Sequence, residues 1–233
     1  MPTNSPRPVL LAARRIHTMD GLPQKQGADA LLVRGGRILA VGRASELSGE
    51  AAATLSFPDA TITPGLTDSH VHLVEWALSL RRVNVADADS PQAAAGLAAS
   101  ATPGSGGWII GHGWSRHRWG APPHRDVLDR AVPDTPVLLT SSDMHSVWAN
   151  SAALVRAGLD ETTADPDGGR MERGADGRLT GVLYDNAMPL LLAAVPVPSL
   201  GERAEATEHG QAVLHGRGIT GVHTVEPDSL GLL

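Results

Sequence analysis

The sequence predicts an α/β protein whose larger part is a parallel sheet backed by helices, a partial (β/α)8 TIM-type barrel. Three observations point there. From about residue 61 onward, short aliphatic and β-branched runs alternate with helix-length segments. Before that point the pattern is one of short strands joined by tight turns, with no long helix. The chain has 233 residues, 42% of them hydrophobic, enough for a sizeable core. A closed barrel takes about 250 residues, so residues 61–233 supply only some five strand–helix units at about 30 residues each. The expected organisation is an N-terminal portion at 1–60 and the first, incomplete part of a barrel at 61–233.

In the N-terminal portion, residues 1–8 are Pro-rich and carry no regular pattern. Residues 9–12 and 15–19 read as two short strands. Residues 30–34 and 37–42 read as a hairpin around Gly35-Gly36, because glycine supplies the positive φ angles of a tight turn. A short helix fits 44–52, and 54–57 leads back toward the second portion. There, strands are expected at 66–71, 108–114, 136–140, 180–186 and 218–225, and helices at 73–82, 92–101, 125–130, 148–157 and 199–216. Gly158 would end the fourth of these helices, and Ser199 with Glu202 forms a capping box at the start of the last. Residues 160–178 form a long polar loop or hairpin.

The chain turns on residues 64–72, Pro-Gly-Leu-Thr-Asp-Ser-His-Val-His. Residues two apart on a strand point to one face, so His70 and His72 project side by side. Two neighbouring imidazoles suit one metal ion, with Zn–N bonds of about 2.0–2.1 Å. An isolated His-x-His is a weak signal. The Pro-Gly turn and the Asp two residues upstream make a rarer string.

Composition narrows the function classes. A net charge of −6, with no basic run and no basic–aromatic interleaving, argues against nucleic-acid binding. No apolar stretch approaches the roughly 20 residues of a membrane helix, and the first eight residues lack the apolar core of a signal peptide. Zero cysteines exclude disulfides, Cys-based zinc sites and a thiol nucleophile. The expectation is a cytoplasmic protein. The only lysine is Lys25, and aromatic packing falls mainly to Trp76, Trp108, Trp114, Trp119 and Trp148.

Longer strings accompany the histidine pair: 107–114, Gly-Trp-Ile-Ile-Gly-His-Gly-Trp; 143–154, Asp-Met-His-Ser-Val-Trp-Ala-Asn-Ser-Ala-Ala-Leu; 165–169, 177–183 and 218–223. With residues 64–72 they resemble the amidohydrolase superfamily, in the subfamily of YtcJ-like proteins and N-substituted formamide deformylases (amidohydrolase family 3). The resemblance runs over nearly the whole chain from about residue 9. It implies that the N-terminal portion is part of a small β-sandwich without chemistry of its own. It implies that His70 and His72 are the first ligands of a divalent metal, zinc foremost. It further implies that a metal-bound hydroxide attacks an amide-type, non-peptide C–N bond of a small molecule, and that further ligands and the catalytic Asp lie beyond Leu233. Many relatives bridge their metals through a carbamylated lysine, for which Lys25 is misplaced. Asp185 stands where relatives carry Glu, so it reads as a metal-site residue or as a helix N-cap.

Other candidates stay open between substrate contact and structure. His145 and His112 follow strands and read as substrate-binding or as loop and packing residues; Trp114 reads likewise, within an expected Trp108–Trp114–Trp119 cluster that is either packing or pocket wall. His223 lies on the last strand. His17, His117, His124, His209 and His215 read as solvated or loop residues. An incomplete barrel leaves an unpaired sheet edge, which favours self-association into a homo-oligomer. It also leaves a two-ligand site, which argues for little activity of this chain by itself. The alternative readings are a catalytically inactive truncated fragment and a metal-free binding module.

Overall fold

The computed structural model describes residues 7–21 and 27–226. Lys25, residues 1–6 and the end of the chain lie outside the described residues. The chain divides into two compact units, Met1–Asp68 with Gly218–Gly221, and Ser69–Arg217 with Val222–Leu233.

The first unit is one four-stranded sheet. Strands β1 (Val9–Ile16), β2 (Ala30–Arg34), β3 (Arg37–Gly42) and β4 (Ala53–Ile62) stand in the order β3-β2-β1-β4. The hairpin forms as expected, with Gly35 and Gly36 at φ 57° and 74°. β1 pairs antiparallel with β2 but parallel with β4. The two strands expected within 9–19 are a single strand, whose register against β4 shifts between Ala13 and Arg15. The irregularity falls between the two runs that the sequence pattern separates. Helix α1 (Ala44–Leu47) and a 3-10 turn at Ser48–Glu50 follow β3. Leu10, Ala30 and Leu32 pack toward Leu47 and Ala51, while Ile16, Ala28 and Leu31 form a second small core with Val41 and Ile62. A second sheet completing a sandwich is not among the described residues.

Strand β5 (Leu66–Val71) carries the histidine motif, and helix α2 (Leu73–Ser79) follows it. Its ladder partner is β12 (Ile219–Thr224), preceded by helix α7 (Leu200–Gly216). The Leu66 N–H donates to the Gly218 carbonyl at 2.9 Å and the Val225 N–H to the Val71 carbonyl at 3.0 Å. Both chains climb together across these bonds, so the pair is parallel. α2 and α7 share a core of Val74, Ala77, Leu78 and Ala206. The capping box forms as the sequence predicts, with Ser199 Oγ taking the Glu202 N–H and Glu202 Oε2 taking the Ser199 N–H.

Between these two strands the chain builds a separate six-stranded sheet, in the order β10-β11-β9-β8-β7-β6. It uses β6 (Val83–Asn84), β7 (Ile109–Trp114), β8 (Val137–Ser141), β9 (Ser146–Ala149), β10 (Gly169–Arg173) and β11 (Leu179–Asp185). β6, β7 and β8 are parallel; β8, β9, β11 and β10 pair antiparallel. The expected all-parallel sheet is therefore corrected. A parallel crossover needs a dozen or more residues, and the links at 142–145 and 174–178 are long enough only for hairpins.

Successive side chains of this sheet feed two cores. Ile109, Leu139, Trp148 and Val182 join Ala94, Ala98 and Leu128 of helices α3 (Pro91–Ala99) and α4 (Arg125–Ala131). Leu138, Val147, Ala149 and Leu183 join Ala153, Leu154 and Leu191 of helices α5 (Ser151–Arg156) and α6 (Met188–Leu192). The helix expected over 148–157 thus begins at Ser151; Trp148 and Ala149 belong to β9. Asn150 marks the switch. Fully buried, its Oδ1 accepts from Val137 N and Ala153 N at 2.9 and 3.0 Å, and its Nδ2 donates to the Val132 and Thr135 carbonyls at 2.9 and 2.8 Å. All four hydrogen-bonding positions of the side chain are used, so one residue caps α5 and ties it to β8.

Candidate metal centre

The Pro-Gly turn admits β5, and its six residues are half-buried or exposed. His70 and His72 are both exposed, with ring centroids 5.8 Å apart and planes at 78°. The two imidazoles are neighbours, although His72 lies just past the end of β5 and not on it. His72 also occupies the N-cap position of α2, and its carbonyl takes the Trp76 N–H at 2.8 Å. The first free N–H groups of α2 are met from β12 and its continuation. Thr224 Oγ1 accepts from Leu73 N at 3.5 Å and Glu226 Oε1 from Val74 N at 2.6 Å. A carboxylate at a helix N-terminus satisfies otherwise orphaned donors and complements the helix dipole. Thr224 and Glu226 therefore fix the backbone immediately after the histidine pair, a role the sequence analysis did not assign. The acidic residue just past the last strand was the available signal. Glu226 Oε2 is buried without a hydrogen-bond partner.

Two neighbouring imidazoles offer the nitrogen donors that zinc and related divalent ions take. Among the described residues, no three His, Cys, Asp or Glu side chains converge into a group that could hold a metal ion. The donor set is therefore two of the three or four protein ligands that a zinc site normally uses.

Asp185 does not join the histidine pair. It ends β11 in the left-handed region, at φ 47°, and its Oδ1 lies 3.1 Å from His145 Nδ1. Nor is it a helix N-cap, since α6 starts after Ala187. His145 is exposed on the turn after β8, and His112 is half-buried on β7 beside Asn84 and Thr140. Trp114 is 2% exposed, and its indole N–H donates to the Leu139 carbonyl at 2.8 Å. That places its ring in the packing, stacked on Trp119 at 5.8 Å and edge-on to Trp148 at 6.5 Å. The expected cluster of tryptophans 108, 114 and 119 is thus corrected to 114, 119 and 148; Trp108 belongs to the opposite core. The glycines of β7 serve a neighbour, since a Cβ at Gly111 would meet the Val83 carbonyl at 2.6 Å. His17, His117, His209, His215 and His223 are exposed, and His124 caps α4 through Nδ1.

One further polar group was not anticipated. Tyr184 donates its O–H to Glu172 Oε2 at 3.1 Å, Arg116 pairs with the same carboxylate, and the Arg170 guanidinium lies 4.6 Å from the Tyr184 ring centroid. Burial first, and then the Glu172 carboxylate, push the Tyr184 phenol above its ordinary value of 10.0.

Residues 59–231 match the model of the amidohydrolase family. The putative amidohydrolase YtcJ of Bacillus subtilis is 37% identical over 175 residues, covering 73% of this chain and 33% of that protein. Protein LONG AFTER FAR-RED 3 of Arabidopsis thaliana is 35% identical over 201 residues, covering 84% and 34%. The N-substituted formamide deformylase of Arthrobacter pascens is 32% identical over 202 residues, covering 81% and 36%. The chain thus spans about a third of the length of these relatives. An uncharacterized metal-dependent hydrolase from Pyrococcus horikoshii shares the fold, with a TM-score of 0.67 at 19% identity over 93% of this chain and 42% of that one. The motif strings, the His-x-His strand and these matches agree: the chain belongs to the amidohydrolase family, in its YtcJ-like branch.

Proposed function

We propose that the chain carries the first two metal ligands, His70 and His72, of a hydrolase that cleaves amide-type, non-peptide C–N bonds in small molecules. The observation that carries this is the pair of exposed imidazoles 5.8 Å apart, His70 on β5 and His72 at the junction of β5 and α2, in a chain whose relatives include a putative amidohydrolase and an N-substituted formamide deformylase. Bound there, a divalent ion, zinc foremost, would polarise the scissile carbonyl and lower the pKa of a water. The residues of this chain orient that ion: β5 sets the two rings, and Thr224 and Glu226 hold the α2 N-terminus behind them. Asp185 is left out of the ligand set because its carboxylate is committed to His145. In this reading residues 1–60 contribute to a β-sandwich, and β5 and β12 are neighbouring strands of a barrel interrupted by the six-stranded sheet. His145 and His112 are its substrate-side candidates. The protein works in the cytoplasm, and its exposed strand edges favour a homo-oligomer.

Metal analysis of the purified chain beside the His70→Ala/His72→Ala variant tests the proposal. Metal is expected in the former and absent from the latter; equal metal in both overturns it. The chain by itself is expected to show little turnover of N-substituted formamides. Chelator-sensitive turnover by these 233 residues alone would show that two ligands suffice.

A further inference from the structure

The turn after β8 is built to present one side chain. Ser141 Oγ donates to Asp143 Oδ1 at 2.5 Å, and the same carboxylate oxygen takes the His145 N–H at 3.0 Å. Ser141 Oγ in turn accepts from Ser146 N at 3.1 Å. Between them Met144 sits at φ 66°, a left-handed conformation that costs energy in a non-glycine residue. β11 approaches with the second such residue of this site, Asp185 at φ 47°. Its N–H donates to the His145 carbonyl at 3.1 Å, and its Oδ1 lies 3.1 Å from His145 Nδ1. Backbone and side chain of Asp185 are thus both spent on His145. Core packing does not repay these two strained residues: Met144 is 70% exposed and the Asp185 side chain 57%.

A carboxylate has no proton to give at neutral pH, so the ring nitrogen facing it carries one. That leaves the lone pair on Nε2. The turn joins β8 to its antiparallel neighbour β9 and stands at the C-terminal end of the parallel run β6, β7 and β8, and ligands of open α/β sheets bind at such ends.

We propose that Asp185 is a positioning residue that holds His145 in the Nδ1–H form, so that Nε2 accepts a hydrogen bond from the N–H of a secondary amide substrate. The substrate contact rests on the hydrolase reading above; the positioning by Asp185 does not. An Nε2 acceptor selects for a donor, so the substrate class is an N-monosubstituted amide or formamide, and tertiary amides lack the contact.

Two measurements separate these parts. Long-range nitrogen NMR of the imidazoles at about pH 8, above the ordinary His range, reads the tautomer directly, with His145→Gln identifying the signal. The Nδ1–H form is expected in the chain, and a shift toward Nε2–H in Asp185→Asn. Asparagine tolerates the left-handed conformation, so this variant keeps the backbone. An Nε2–H form in the parent, or no change in the variant, overturns the positioning role. In the metal-loaded full-length enzyme, Asp185→Asn is expected to lower kcat/KM for a secondary amide roughly tenfold, the low end for a residue orienting a functional histidine. Metal content should be unchanged and the loss on a tertiary amide smaller. Equal losses on both substrates overturn the N–H contact. If neither amide turns over in the parent enzyme, the hydrolase reading fails and the substrate contact fails with it, while the tautomer measurement still decides what Asp185 does.

Discussion

The tryptophan side of the six-stranded sheet and the exposed rim of β5 are opposites. Trp114, Trp119 and Trp148 are almost wholly buried and lie within 6.5 Å of one another, centroid to centroid. His70 and His72 stand as close, at 5.8 Å, yet both are exposed. The first group is held by everything around it. The second is held from behind, by the backbone of β5 and the capped start of α2. Stability and chemistry are therefore stored in different parts of this chain, and substitutions should separate them.

The largest loss of stability is expected at Trp148. Replacement by Ala should cost about 3–5 kcal/mol, the range for buried large aromatics, read as a fall in the denaturation midpoint. Trp148→Phe sharpens the point: the indole N–H is buried without a partner, so the milder variant removes an unpaired donor along with volume. Asn150→Ala comes next, at about 3 kcal/mol. It orphans the Val137 and Ala153 N–H groups and the Val132 and Thr135 carbonyls together. Ser199→Ala removes one N-cap bond of α7 and should cost about 1 kcal/mol. His70→Ala/His72→Ala should lie within about 0.5 kcal/mol of the parent when metal-free, as exposed sites do, while abolishing metal retention. A large loss of stability in that variant would break the contrast between the two regions.

A titration probes the buried side by itself. Tyr184 is the sole tyrosine, so ultraviolet absorbance of the tyrosinate reports it alone. It should titrate above 10.0, because burial and Glu172 disfavour the phenolate. The folded state then holds this proton more tightly than the unfolded chain. The stability linked to it is complete below the ordinary tyrosine pKa and is lost as pH rises from there through the raised value. Glu172→Gln removes the neighbouring negative charge and should lower the observed value. An unmoved titration would leave burial as its whole cause.

The unequal legibility of the two regions follows from the same contrast. The His-x-His strand could be read locally, because a period of two and a Pro-Gly turn are properties of adjacent residues. The buried strand β9 could not. All four of its residues are buried, so it shows no alternation and resembles a buried helix segment. Local pattern accordingly places Trp148 in a helix and groups the tryptophans by neighbourhood in sequence, whereas the sheet groups them by neighbourhood in space. Asp185 shows the limit at the site itself. Its identity suits a metal ligand or a cap, but its partner, His145, lies on a different hairpin of the same sheet.

Residue order by itself determined the Gly35-Gly36 hairpin, the Ser199–Glu202 cap, the side-by-side histidines and the family they announce, since each depends on groups within a few residues of one another. Tertiary structure alone decided that the middle of the chain is a mixed sheet standing between two parallel strands. It alone decided which tryptophans meet, that Thr224 and Glu226 cap the helix behind His72, and that Asp185 is spent on His145. Those outcomes depend on which distant segments come to lie side by side, and pairing between strands is set by shared burial, which a local pattern does not carry.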